Sequence, residues 1–448
     1  MDEERRRRWH SARRVLLIRL DNLGDVLMTT PALAAVRESL PDAHLTLLAA
    51  PAMAGLKPHL PMVDEIIGFH APWMKAGAMA LPSGNAPATI EANEANEANE
   101  ANEANEANEA NEANEANEAN EVAGADSACG VAPLGDHERQ LLSLLLGDRP
   151  ADRFDAAIIF TVCTQSPFPA AALCRLAGIP LVLAHARERA YALLSDEVPD
   201  PDVVRAGMRH EVRRQLDLAA RVGCVTHDER LRFHLRDADR RAAARALAAA
   251  GLSAGRPFVL VHPGASAPSR RYPADRLGEA AELIRRQDPT GRTAIVLCGG
   301  AGEAGLIAQM QAAMGGTGLV LAPPSGVGEL AALIASAELL VGNNSGPAHL
   351  AAAVGTPVVD LYALTNPQHT PWRVESRVLS HDVPCRNCQK SVCPQGHHDC
   401  MRRITPAEVA AAAWDLLREE QTRAASARER RGTRIGEAAA AAEWGAAA

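Results

Sequence analysis

Residues 15–49 hold an apolar run, a short polar turn, a helix-length stretch and a second apolar run, and that order leaves few folds open. Val15-Leu-Leu-Ile-Arg-Leu20 reads as a buried strand and Asp21-Asn-Leu-Gly-Asp25 as the turn after it. A helix runs on to about Leu40, Pro41-Asp42 breaks it, and His44-Leu-Thr-Leu-Leu-Ala49 is the next strand. Two strands joined by a helix within about 35 residues pair in parallel. The plan continues with a weaker strand at Ile66–Phe69, a helix near Asp136–Leu146, and a strand at Asp155–Phe160. A helix near Phe168–Leu176, a strand at Leu181–Ala184 and a helix near His210–Val222 close this half. The second half repeats the scheme. Strands are expected at Phe258–His262, Thr293–Cys298, Leu319–Leu321, Leu339–Gly342 and Pro357–Tyr362, with helices at Ala238–Ala250, Ala274–Arg286, through Ala313, and at Val327–Ser336.

The fold class expected is α/β, as two Rossmann-like, doubly wound domains facing each other across a cleft. Ligands in such sheets sit beyond the carboxyl ends of the strands. The first domain spans 12–223, a linker 224–236, and the second domain 237–403. A last helix at 404–421 is expected to pack back across the first domain, and an Ala/Arg/Glu-rich tail at 422–448 to be disordered. A chain of 448 residues is comfortable for two domains.

Residues 91–121 are ten copies of Glu-Ala-Asn followed by Glu121. A period of three does not match the helical turn, so no apolar stripe forms. The segment is expected to be a surface insertion, frayed or disordered. Its eleven glutamates account for the net charge of -9; without them the balance is +2, so charge says little about partners. Aromatic residues make up only 3% of the chain, which argues against stacking platforms for nucleic acid. The run Arg5–Arg8 reads as a solvated tail, with contact to an anionic membrane surface as the alternative. Arg19, Asp21 and Asp25 interrupt Val15–Met28, which excludes a signal peptide there. No stretch is long and apolar enough for a membrane span, so a cytoplasmic protein is expected.

Three strand-to-helix turns in the second half share one chemistry. Pro263-Gly-Ala-Ser266 and Gly299-Gly-Ala-Gly302 offer small residues and backbone N–H groups, with Glu303 at the next helix start. Asn343-Asn344-Ser345-Gly346 opens a helix that carries His349 one turn in. Uncapped helix starts attract anions, phosphate above all. An ordinary helix with Ser345 as its N-cap is the alternative. Arg270 and Arg271 follow the first turn, where a guanidinium can neutralise a diphosphate. Together the turns point to a nucleotide diphosphate. In the N-terminal turn, Asn22, Gly24 and Asp25 face the cleft. Asp25 is either a helix cap or a carboxylate able to take a proton from an incoming hydroxyl.

Val15–Leu33, Val261–Pro273 and Val341–Pro357, with Leu364-Thr-Asn-Pro367 after them, resemble glycosyltransferase family 9, the bacterial heptosyltransferases that extend the inner core of lipopolysaccharide. The resemblance covers most of residues 14–418. It implies a GT-B fold, an ADP-activated heptose donor, and an inverting transfer that needs no metal or other cofactor. Carried onto this sequence, Asp25 is the base. The leaving diphosphate rests on Ser266, Arg270, Ser345, Gly346 and His349, with Glu303 a weaker candidate for the ribose. The acceptor is a lipid-linked saccharide at the inner membrane surface, and peripheral attachment there would follow. Two departures stand out: Arg270 replaces a usual lysine, and Asn344 replaces the usual aspartate, which is expected to contact sugar hydroxyls. A different nucleotide-sugar, or a non-catalytic nucleotide-sugar-binding protein, are the alternatives.

Cys385, Cys388, Cys393 and Cys400 fall within 16 residues that also hold His397 and His398. That spacing suggests a structural metal, zinc most simply, and the family resemblance adds iron, which some relatives hold through cysteines. Reduced thiols in a loop, or a disulfide pair, are the other readings. The remaining five cysteines are scattered and read as core or loop residues.

Overall fold

Strand β1 (Arg14–Arg19) is buried along its whole length apart from its first residue, as a strand covered on both faces must be. A computed structural model describes residues 3–74, 143, 145, 153–205, 207–364 and 367–423. The Glu-Ala-Asn repeat, most of the helix expected near Asp136–Leu146, Thr365, Asn366 and the expected tail beyond residue 423 lie outside the described residues.

In chain order, helix α1 (Glu3–His10) precedes β1, and α2 (Leu23–Ser39) follows it. Next come β2 (His44–Ala49), a 3-10 turn at Pro51–His59, β3 (Glu65–Gly68), β4 (Ala156–Ile159) and α3 (Phe168–Leu176). Strands β5 (Leu181–Ala186) and β6 (Asp196–Pro199) and helix α4 (Glu211–Ala220) complete the first half. Residues 224–236 contain no helix or strand. The second half runs α5 (Asp237–Ala249), β7 (Phe258–His262), α6 (Ala274–Arg286), β8 (Ala294–Leu297), α7 (Ala304–Ala313) and β9 (Leu319–Val320). It continues with α8 (Val327–Ser336), β10 (Leu339–Asn343), α9 (Gly346–Val354), β11 (Val358–Leu361), β12 (Ser376–Leu379), α10 (Asp399–Arg402) and a last helix, α11 (406–423).

Two parallel six-stranded sheets result, ordered β3-β2-β1-β4-β5-β6 and β12-β11-β10-β7-β8-β9. Each has the doubly wound order, and each reverses direction at one point: between β1 and β4, and between β7 and β10. Such switch points open the crevice in which ligands bind. The turns after β1, β7 and β10 therefore lie where chemistry is expected.

Helix α2 is apolar nearly all round and is buried between its own sheet and the second domain. Pro31 stands inside it and cannot donate to the carbonyl one turn back. Thr30 Oγ1 donates to that carbonyl, Leu27 O, at 2.6 Å, so the helix continues unbroken. One apolar cluster runs from α2 through Leu231 and Phe233 of the connecting segment to α5, α8 and α9, so the two sheets share a core.

Three expectations are corrected. The arginine run is not a loose tail: it forms α1, whose Trp9 is buried and donates to Asp196 Oδ2 at 3.0 Å, with Arg5 2.8 Å from Oδ1. That contact pins α1 to the edge strand β6, itself too short and polar to stand out in the sequence. The last helix does not cross to the first domain. Val409, Ala413 and Leu417 pack on Leu277 and Ile284 of α6, and Trp414 Nε1 donates to Ile284 O at 3.2 Å. Amphipathic periodicity buries a face without naming its partner. The strand β12 on the outer edge of the second sheet is also additional to the expected set.

Replacing Trp9 with Ala should cost about 3–5 kcal/mol, the range for emptying a buried aromatic site. Urea denaturation measures it, and a loss no larger than that of an exposed substitution would contradict the docking of α1.

Candidate active site

The first turns of α2 and α9 meet head to head. A Cβ on Gly24 would lie 2.6 Å from His349 Cδ2, and one on Gly346 would lie 3.1 Å from Leu23 Cδ2. Glycine at both positions lets a side chain of each helix start, His349 and Leu23, lie against the backbone of the other. Each start carries partial positive charge, so an anion held between them is favoured from both sides.

On the first-domain side the centre is Arg19, the last residue of β1, wholly buried. Its fork reaches three carboxylates: Nε to Asp21 Oδ2 at 2.8 Å, Nη2 to Asp25 Oδ1 at 3.2 Å, and Nη1 to Glu211 Oε1 at 2.9 Å. Gln165 Nε2 donates to Asp21 Oδ1 at 2.5 Å, and Gln215 Nε2 to Glu211 Oε1 at 2.6 Å. One cation among three acids leaves excess negative charge in a dry place. Burial pushes Asp21 up to about 6, against the pull of Arg19 and with Asp25 adding to the rise. Asp25 goes the other way. Burial would raise it, but Arg19, helped by His369, His349 and Arg270, holds its carboxyl below the ordinary range. Two neighbouring acids are thus split into one that protonates readily and one that stays ionised, the separation that acid–base sites use.

On the second-domain side, Asn343 joins two turns. Its Nδ2 donates to Pro263 O at 2.6 Å, while its Oδ1 accepts from the backbone N–H of Tyr272 at 2.9 Å. Ser345 occupies the N-cap position of α9, yet its side chain does not cap the helix; Oγ donates to Gly264 O at 3.2 Å. His349 is buried and its Nδ1 has no hydrogen-bond partner among the described residues. Burial, together with the nearby His369, lowers it to about 3, so the ring is neutral at pH 7. Arg270 is half-buried and close enough to act on Asp25, His349 and His369, so its cation serves the same space.

The structure brings Gly24, Asp25, Arg270, Ser345, Gly346 and His349 together. Asn22 is the N-cap of α2 but makes no side-chain cap. Ser266 is exposed on its turn, and no described group bonds its hydroxyl. Glu303 folds back on its own turn: it accepts from Gly300 N at 2.7 Å, lies 3.6 Å from His262 Nε2, and fills the space beside Gly264. Asn344 donates to Asp360 Oδ2 and to His369 O. Sequence reading missed Arg19, Glu211, Asp360 and His369. Arg19 and Asp360 each interrupt an apolar strand at its carboxyl end, a signal that was available. Glu211 and His369 carried none.

The cysteine cluster is gathered in one place: Cys400 lies close enough to Cys385, Cys388 and Cys393 to feel their charge. Cys385, Cys388, Cys393 and Cys400 are free thiols, and no three Cys, His, Asp or Glu side chains among the described residues gather to hold a metal ion. Cys385 Sγ lies 3.7 Å from His397 Nε2. The loop braces the turn after β7: Ser269 donates through Oγ to Lys390 O at 2.6 Å, and His398 Nε2 is 2.7 Å from Ser269 O. Of the scattered cysteines, Cys163, Cys174, Cys224 and Cys298 are buried, and Cys129 lies outside the described residues.

Residues 151–398 match the family model for glycosyltransferase family 9 (heptosyltransferase). Lipopolysaccharide heptosyltransferase 2 of Salmonella typhimurium is 31% identical over 175 residues, 38% of this chain and 49% of that protein. Lipooligosaccharide heptosyltransferase 2 of Campylobacter jejuni is 37% identical over 87 residues, 19% of this chain and 27% of that one. The chain thus spans half or less of the length of these curated relatives. Two solved structures share the fold: a glycosyl transferase family 9 protein from Veillonella parvula (TM-score 0.64, 19% identity, covering 91% of this chain and 98% of that one), and the E. coli ADP-heptose heptosyltransferase II (TM-score 0.59, 20% identity, 91% and 99%). Among the described residues no helix is long and apolar enough to cross a membrane.

The neutral state of His349 has a measurable consequence. With its folded value near 3, the unfolded chain binds a proton that the folded chain refuses. Stability present at neutral pH is therefore lost as pH falls from about 6.5 toward 3. His349→Asn should shrink the drop in urea midpoint between about pH 7.5 and pH 5; an unchanged drop would contradict a buried neutral ring.

Proposed function

The chain belongs to glycosyltransferase family 9, and on that premise we propose that it transfers heptose from an ADP-activated donor to the inner core of lipopolysaccharide. The transfer is a single inverting displacement that needs no metal. One observation carries the reading: an ionised carboxylate, Asp25, stands at one helix start, and the phosphate-type helix start of α9 faces it across Gly24 and Gly346.

In the reaction the acceptor hydroxyl oxygen attacks the anomeric carbon as the carbon–oxygen bond to the diphosphate breaks. The bonding pair leaves with ADP, and the hydroxyl proton passes to Asp25. Because the nucleophile enters opposite the leaving group, the configuration inverts. The departing diphosphate is met by backbone N–H groups at Gly346, by Ser345 and Ser266, and by the cation of Arg270. His349, neutral, contributes a hydrogen bond in place of a charge. Fixed dipoles and a cation aimed at developing charge are the usual source of a large part of such rate enhancements. Glu303 would have to leave its Gly300 contact before it could meet a ribose. The acceptor is a lipid-linked saccharide reached from the cytoplasmic side, with the enzyme peripheral to the membrane.

Asp25→Asn should lower turnover by about 10²–10⁴-fold, the range for general-base help. Calorimetry should find ADP binding nearly unchanged, since the base acts on the acceptor. Wild-type turnover in the variant would remove Asp25 from the mechanism. A panel of nucleotide-sugars in the same nucleotide-release assay reads the donor; release from a donor other than ADP-heptose alone would reassign the sugar and leave the fold of the argument intact.

A further inference from the structure

Both hydrogens of the Asn344 side-chain amide are committed inside the protein. Its Nδ2 lies 2.9 Å from Asp360 Oδ2 and 2.7 Å from the carbonyl oxygen of His369. Asp360 lies on β11, paired in register with Gly342 on β10, directly under the turn that opens α9. It is wholly buried, and its second oxygen, Oδ1, has no hydrogen-bond partner among the described residues. No cation pairs with it there. Burial raises its carboxyl to about 7, and the hydrogen bond from Asn344 works against that rise, favouring the ionised form.

The consequence concerns which end of the amide faces outward. An asparagine whose nitrogen is held on both hydrogens can offer only its oxygen. Asn344 Oδ1 accepts from no described residue, and it is not among the buried atoms left without partners, so it is open to solvent at the β10–α9 turn.

We propose that Asp360 is a positioning residue for Asn344, and that the two act as one unit presenting a fixed hydrogen-bond acceptor to a hydroxyl of the donor sugar. The inference rests on the donor-side reading of this turn given above. It also gives the asparagine a specific role. A carboxylate at position 344 would offer the same outward acceptor, but it would set an oxygen against Asp360 and His369 O, two acceptors, with no hydrogen to donate. This chain keeps the acceptor in the cleft and places the acid one strand away, beneath the floor, where burial raises it to about 7.

The test exchanges the two residues. Wild type, Asn344→Asp, Asp360→Asn and the double variant are each measured for ADP release from ADP-heptose and for thermal unfolding. Asp360→Asn keeps an oxygen for Asn344 to donate to but replaces an acidic acceptor with a neutral one, and kcat/KM should fall by about 3–10-fold. Asn344→Asp should lose about 100-fold in kcat/KM and unfold at lower temperature, because two buried acids then face each other and the amide hydrogen to His369 O is gone. The double variant should regain at least about tenfold of that loss, and part of the midpoint, because an amide at 360 now donates to the carboxylate at 344. Wild-type behaviour of Asn344→Asp, or a double variant no better than Asn344→Asp in both measurements, overturns the proposal. If the wild type releases no ADP, the proposed activity fails instead. The melting series then judges the pair alone: recovery in the double variant upholds it and no recovery refutes it.

Discussion

A single guanidinium holds the first-domain half of the site together. Arg19 ends β1 inside the sheet, and its three nitrogens each meet a different carboxylate from a different part of the chain: Asp21 and Asp25 from the following turn, Glu211 from α4. Only arginine has the fork to do this; a lysine is a point charge and would serve one partner at a time. The arrangement fixes the direction in which α2 leaves the sheet, ties that helix to α4, and keeps Asp25 ionised in a buried place. Removing one member of such a buried set costs about 3–5 kcal/mol, because the remaining charges are left uncompensated. The surplus acid charge falls on Asp21, whose proton affinity is raised, and so spares Asp25.

The second-domain half is built from backbone rather than charge. Asn343 and Ser345 tie the β7 turn to the β10 turn, and the cysteine loop supports Ser269 from behind. These bonds present the start of α9 to the start of α2 with two glycines at the contact. The apolar cluster that continues from α2 into α5, α8 and α9 keeps the two halves in that relation. Asp25 and the start of α9 are then neighbours because of packing, although they lie more than 300 positions apart in the sequence.

How much of this was legible in the sequence follows from what each residue does locally. The strands β1, β7 and β10 are long apolar runs ending in small polar turns, so both sheets and the positions of Asp25, Ser345 and His349 could be read directly. Arg19 sits in such a run and looked like a mere interruption, since nothing nearby announces Glu211, 192 positions away. The edge strands β6 and β12 are short and partly polar, and only their pairing makes them strands. The spacing of Cys385, Cys388, Cys393 and Cys400 allowed a metal site. The loop also follows Ser269 and the 364 region, a path that chain spacing does not encode.

The central claim is that Arg19 keeps Asp25 ionised as the base. The pH dependence of kcat/KM for the wild type and for Arg19→Gln tests it most directly, with folding of the variant checked by circular dichroism. The account predicts that the acid limb of the variant moves to higher pH, so that activity is lost at neutral pH and returns only under more alkaline conditions. A variant whose profile coincides with that of the wild type would contradict it.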